Sequence, residues 1–403
     1  MSKEKQKVEL NSVLGYPQDV LLSEIKSLAF SPKTFEKYSE LLTAYKPNEF
    51  PCSHCLILRE QTRTLNDKNL QKFMSEVDAY ITTVKVENFA SAESLFLEML
   101  HKTEVYSQRN GNLITKMSPV IEKLLSRVEY GILSPYHSFQ AHILYSTKQY
   151  DIGKVLYCTK YKGVAPGMDS FSLQMYLYYV GCIALNNRDL RDALFLFHQC
   201  VVCPNKSLTT PALCAWKKAT LLSLIVRHTQ YNTNGYLAFF VDNYKEATVY
   251  ITLSEQFSAG VDKLQNVIEM FSPQLKSDGN FGLAKQVLVA AVLNGFDNVS
   301  KAFSTIAIDQ LAKRVHLTQN ELKKFIKAMT EKDLLTITLS QDVVTFKEKP
   351  VNDKTITELF QQLVECEAIF GFMKQHIAIK EEEIASAKSA QKAKEVKDKK
   401  QTA

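Results

Sequence analysis

Nowhere in the 403 residues is there an apolar stretch long enough to cross a bilayer. The longest clean run, Val287 to Leu293, falls well short of the ~20 residues that a spanning helix needs. Met1 to Leu10 is charged and lacks the apolar core of a secretory signal, so the chain is expected in the cytoplasm and nucleus, away from membranes. Recognisable catalytic patterns are missing too. The sequence has no Gly-x-x-x-x-Gly-Lys phosphate loop, no His-Glu-x-x-His, no Gly-x-Ser-x-Gly and no His-x-His pair of a metal-dependent isopeptidase. No catalytic residue and no cofactor is therefore expected.

Cysteine is present without a disulfide pattern. Eight Cys in a chain of this length and compartment read as reduced thiols, and the Asn205 and Asn298 glycosylation patterns would be silent there. Two Cys-x-x-Cys pairs invite a zinc reading: Cys52 and Cys55 around His54, and Cys200 and Cys203 near His198 and Cys214. A zinc site needs four converging ligands, but the pairs lie far apart and Cys200 to Cys203 falls on an apolar helix face, so no metal is expected. His137 and His142 read as core or surface residues rather than bases. The net charge of +6 is also less than it looks. Most of it sits in residues 387–403, where six Lys face Glu395 and Asp398, leaving the remainder near the balance of an ordinary soluble protein.

What is present is helical periodicity, and then a change of period. From Gln18 to about Asn294 apolar stripes recur at i, i+3, i+4 spacing, as in Val20, Leu21, Ile25 and Leu28, in Phe73, Val77, Tyr80 and Ile81, and in Leu95, Phe96, Met99 and Leu100. No strand is expected in this part. Short antiparallel helices in series imply a solenoid. Gly181, Ala193 and Phe197 hold the small and aromatic spacing of a tetratricopeptide repeat, with Pro204 near its stop, although Leu177 and Ala184 stand where that repeat usually has Trp and Tyr.

Residues 295–350 read as a winged helix. A first helix is expected over Val299 to Ile308, with Ala302, Phe303, Ile306 and Ala307 on one face. A second, capped by Asp309, carries Leu311, Ala312 and Val315 and ends near His316. Thr318 and Glu321 have capping-box spacing for a third helix burying Leu322, Phe325, Ile326 and Met329. After Asp333 the period falls to 2: Leu335, Ile337 and Leu339 alternate with Thr336, Thr338 and Ser340, and Val344 with Phe346 completes a hairpin across Gln341-Asp342. Phe303, Leu311 and Phe325 are the expected core. Lys323, Lys324 and Lys327 give the third helix the look of a DNA-recognition helix, but no Arg or Asn suited to bidentate base contacts accompanies them, so nucleic acid is not the expected partner.

Beyond Pro350, Ile356, Leu363, Phe370, Ile377 and Ile384 fall seven apart, with Leu359, Cys366 and Met373 filling a second seam. This predicts a long helix over 353–386 that needs a helical partner, followed by a disordered Lys-rich tail at 387–403. The expected fold is thus all-α with a small β-hairpin. A flexible segment (1–16) precedes a right-handed, tetratricopeptide-like solenoid (17–294), a winged-helix subdomain (295–350) and the C-terminal helix. Candidate interface residues are Leu335, Ile337, Thr338 and Leu339 on the hairpin, whose unpaired edge can be extended by another strand, and Ile356, Leu359, Leu363, Phe370, Met373 and Ile377 on the helix.

A solenoid running into a winged helix, together with Asn280-Phe-Gly-Leu-Ala-Lys-Gln-Val and the run from Lys301-Ala-Phe-Ser to Val315-His-Leu, resembles the PCI-module family of the proteasome lid, the COP-9 signalosome and translation initiation factor three, the signalosome most of all. The likeness covers about residues 170–350. The family tends to carry Gly in the wing turn, where this chain has Gln341-Asp342. The resemblance implies a non-catalytic scaffold in a complex that removes a ubiquitin-like modifier from cullins through another subunit. It further implies winged helices joined side by side, C-terminal helices gathered in a bundle, and signalosome subunits one and eight as neighbours.

Overall fold

The computed structural model describes residues 34–346, apart from 45, 67, 111–113, 206, 234–237, 239–240, 242–243, 332–336 and 341. Leu335, the helix expected over 353–386 with its six interface residues, the Lys-rich tail and the N-terminal segment lie outside the described residues. The chain divides into two compact units, Met1–Asn298 and Val299–Ala403.

The first unit is a succession of helices: α1 (Thr34–Ala44), α2 (Pro51–Gln61), α3 (Leu70–Thr83), α4 (Val86–Asn110), α5 (Ser118–Leu125), α6 (Pro135–Ser146), α7 (Tyr150–Cys158), α8 (Ser170–Asn186), α9 (Leu190–Val202), α10 (Thr210–Val226), α11 (Thr248–Gln256), α12 (Val261–Met270), α13 (Ser272–Ser277) and α14 (Phe281–Ser300). Local chemistry sets their starts. Asp169 caps α8 by accepting from the Ser172 N–H at 2.7 Å. Thr209 caps α10 by accepting from the Ala212 N–H, with Pro211 in the first turn where no backbone donor is needed. The predicted stripes are interior: Phe73, Val77, Tyr80, Ile81, Phe96, Met99 and Leu100 are all buried.

Gly181 explains how α8 and α9 approach. A Cβ placed there would stand 2.8 Å from Cε1 of Phe197, so only glycine admits that ring between the helices. Ala193 and Phe197 are fully buried beside it. Successive contacts of α6 with α8, α8 with α9 and α9 with α10 give the helical-repeat build. Two apolar cores result, one from α1 to α6 and one from α6 to α14. A polar network is buried within the second. The Lys217 ammonium donates to Asp278 at 2.9 Å and to Glu246 at 3.0 Å, Tyr250 donates to Asp278 at 2.7 Å, and Lys218 donates to Asn280 at 2.8 Å. One expectation fails in this unit. Ile132–Leu133 (β1) and Gly163–Val164 (β2) pair as parallel strands where none was expected, because two-residue strands are too short to show a period of two.

In the second unit the order is β3 (Thr305–Ala307), α15 (Ile308–Val315), α16 (Gln319–Thr330), β4 (Ile337–Ser340) and β5 (Val343–Phe346). The expected helix over 299–308 is not formed. Helix α14 stops at Ser300, and 305–307 is a strand on β5, making a three-stranded antiparallel sheet in the order β3-β5-β4 rather than a lone hairpin. Ile306 was placed on a helical face, but the same residue in a strand faces inward beside Val344, an equal burial with another period. Asp309 is not the cap of α15 either: it lies in the first turn, and Ala307 takes the extended N-cap geometry. His316 ends that helix in the left-handed conformation, φ +56°. The capping box at Thr318 and Glu321 forms as the spacing predicts.

Candidate assembly surface

The inner face of the sheet is apolar, with Ile306, Ile337 and Val344 buried. Alternation along the strands sends Thr305, Ala307, Thr338, Ser340, Val343 and Thr345 to the opposite face, which therefore carries no charge at all. Leu339 has the inward parity of Ile337, yet at the end of its strand it is 40% exposed.

The hydrogen bonds that flank the ladder orient the edge. Phe346 N–H donates to Ser304 C=O and Ile308 N–H to Asp342 C=O, both at 2.9 Å, so the backbone groups of 342, 344 and 346 turn toward β3. In an antiparallel strand those of 343 and 345 must then turn toward β4, where they face Ser340 and Thr338. It follows that the N–H and C=O groups of Ile337 and Leu339 point away from the sheet, and no further strand pairs with β4 among the described residues. The edge expected from the sequence is there, but Thr338, read as its donor, spends its N–H inside the hairpin. The turn between the strands needs a left-handed residue, and Asp342 supplies it with φ +63° in place of the family's glycine.

Charge around this sheet is largely self-compensated. Lys323 pairs with Asp342 at 2.7 Å, which removes one of the three lysines of α16 from any external anion. The Glu321 carboxyl is held below its usual range by hydrogen bonds from the Thr318 hydroxyl and backbone N–H. Phe303 does not enter the core: it is 37% exposed, with the Arg314 guanidinium stacked 4.9 Å from the ring centroid. Phe325 is half-buried, while Leu311 and Leu322 are fully buried. The core positions thus shift toward the aliphatic residues, because the strand at 305–307 takes the place assigned to a helix.

The sequence-marked thiols and histidines serve packing. Cys52 donates to Ser91 C=O and Cys200 to Gln174 C=O. Burial pushes the Cys55 thiol up to about 12 and Cys182 up to about 11, which holds them as neutral S–H groups. Among the described residues no three His, Cys, Asp or Glu side chains converge in a manner suited to a metal. His137 Nδ1 accepts from the Ser134 N–H at the start of α6, and burial lowers its basicity. His142 Nδ1 bonds the buried Glu104 carboxylate and stacks on Tyr179 at 4.0 Å. The features that sequence reading missed are β3, the Phe303–Arg314 pair and the edge parity of β4; only the last had a readable signal, in the alternation itself.

The family described as COP9 signalosome complex subunit 3, N-terminal helical repeats, matches residues 18–236. Among curated proteins, COP9 signalosome complex subunit 3 of Drosophila melanogaster is 27% identical over 188 residues, covering 44% of this chain and 41% of that protein. Its counterpart in Caenorhabditis elegans is 26% identical over 190 residues, covering 45% and 38%. The match therefore spans about two-fifths of each relative's length.

Proposed function

The chain belongs to the COP9 signalosome subunit 3 family, and from that premise we propose that it is a non-catalytic scaffold subunit of a signalosome. In this reading residues 299–346 are a winged helix of PCI type that joins sister subunits, with subunits one and eight as neighbours. The helix over 353–386 enters a common bundle, and the cleavage that removes the modifier from cullins is done elsewhere in the complex, in cytoplasm and nucleus. The observation that carries the proposal is the β4 edge. Two outward N–H and two outward C=O groups, beside an uncharged sheet face, form a ready template for a strand from another chain.

The same parity selects the test. Leu339→Pro removes an outward donor from an exposed strand position, and is expected to weaken co-purification with sister subunits while the free chain melts within a few degrees of the parent. Thr338→Pro breaks a bond inside the hairpin and should instead destabilise the unit itself. Deleting 353–403 should leave the described fold intact and reduce incorporation. Normal assembly of the Leu339→Pro protein would count against edge pairing. A nucleic-acid role is less well supported, since Lys323 is already neutralised and α16 offers no base-reading set.

A further inference from the structure

A groove of about 670 Å³ runs along α4 in the first unit, between the short 3-10 turn Thr62–Thr64 and the start of α8. Its polar walls are already satisfied. Arg63 pairs with Glu60 at 3.0 Å, Lys102 with Glu98 at 3.1 Å, and His101 with Glu104 at 3.6 Å, while Asp169 is engaged as the cap of α8. What remains to be covered is aliphatic: Leu97, and Val105, which is 49% exposed. With its charges internally matched, such a groove favours an uncharged apolar stripe over an ionic ligand.

The chain itself carries such a stripe close by. Tyr38, one turn into α1, lies within electrostatic reach of Arg63, and the Ser39 hydroxyl accepts from the Gln61 amide at 3.5 Å, so α1 begins at the end of the molecule where Thr62 and Arg63 line the groove. Immediately before α1 come Ser31-Pro32-Lys33, about 10 Å of connection with a proline to turn it, and before those the spacing Leu21, Ile25, Leu28 with Val20 alongside. Residues 20–28 as a helix would extend about 12 Å, and the groove from Ser94 to Val105 about 16 Å. Residue 18 is also where the family match begins, so this stretch belongs to the repeat module.

We propose that residues 18–30 seat Leu21, Ile25 and Leu28 in the α4 groove over Leu97 and Val105, so that the chain covers its own repeat surface. The full-length protein tests this through tryptic cleavage after Lys26, followed by mass spectrometry. Cutting in the parent should be at least tenfold slower than in a synthetic peptide of residues 18–33. Val105→Asp, at a half-exposed position that tolerates polarity, should abolish that protection with an unchanged helical melt, and so should Ile25→Asp. Pairing Val105→Lys with Ile25→Asp should restore it. The proposal is overturned if Lys26 in the parent is cut as fast as in the peptide, which leaves the groove to a second copy or another protein. It is equally overturned if Val105→Asp leaves Lys26 protected, which would place the segment elsewhere, for example stacked on α1.

Discussion

Replacing Gly181 by alanine tests the packing that defines the repeat. The new Cβ would lie 2.8, 2.9 and 3.2 Å from three atoms of the Phe197 ring, against a comfortable carbon–carbon separation of about 3.5–4.0 Å. The ring cannot swing aside cheaply, since Phe197 is fully buried and packs at 6.1 Å against Tyr178. Overpacking of this kind costs about 1–3 kcal/mol. Removing a glycine from a helix interior returns about 1 kcal/mol. The expected net is a destabilisation of about 1 kcal/mol, or a fall of about 2–4 °C in Tm for a unit of this size. Gly282→Ala in α14 is the matched control: a Cβ there meets nothing within 4 Å, so the melt should hold or rise slightly. Thermal unfolding followed by circular dichroism reads both. In a double-mutant cycle, Phe197→Leu should relieve the clash introduced by Gly181→Ala and show favourable coupling of about 1 kcal/mol. A Gly181→Ala protein as stable as its parent, or one without coupling to residue 197, would refute the close-approach argument.

Other expectations follow from burial and protonation. Burial raises the pKa of the Glu104 carboxyl, but the bonds from His101 and His142 outweigh it and leave the group below its ordinary range. A depressed folded pKa stabilises above the unfolded value of about 4.3 and is lost as pH falls through the folded value. Glu104→Gln should therefore lower neutral-pH stability by about 3 kcal/mol and flatten the acid limb of a denaturation profile. Leu311→Ala should cost about 2–5 kcal/mol and Phe303→Ala less than about 1, measured by urea unfolding; the reverse order would mean that the aromatic holds the core after all. Alkylation at pH 8 with site mapping should label the exposed Cys158 well before Cys55 and Cys182, and early labelling of Cys55 would contradict its burial.

Much of the helical architecture was legible because a buried face imposes its period on the sequence: Phe73 through Ile81 and Leu322 through Met329 sit where the spacing put them. The caps at Thr318 and the end at His316 were readable for the same local reason, since orphan backbone groups demand particular side chains. What misled was a segment whose apolar residues fit two periods. Ala302, Phe303, Ile306 and Ala307 suit a helical face, but only Ile306 needs burial, and a strand buries it equally well. The candidate interface was legible as an edge but not as a polarity of backbone groups, because register is fixed by the β3 pairing, which the sequence did not announce. The family likeness read from 170–350 has its match over 18–236, so the early helices carry more of the kinship than their irregular pattern suggested.

Helix α6 belongs to both apolar cores. Tyr136, Phe139 and Ile143 face the N-terminal cluster, whereas Ala141, with Leu144 and Tyr145, faces the other. A wall shared by two rooms lets either be emptied while the other stays furnished. Amide exchange in the first unit should accordingly show two cooperative blocks meeting at residues 135–146, with α6 itself protected to the level of the more stable block. For a subunit that must be threaded among neighbours, such a partition means that the N-terminal arm can open to admit a partner without loosening the helices from α8 onward.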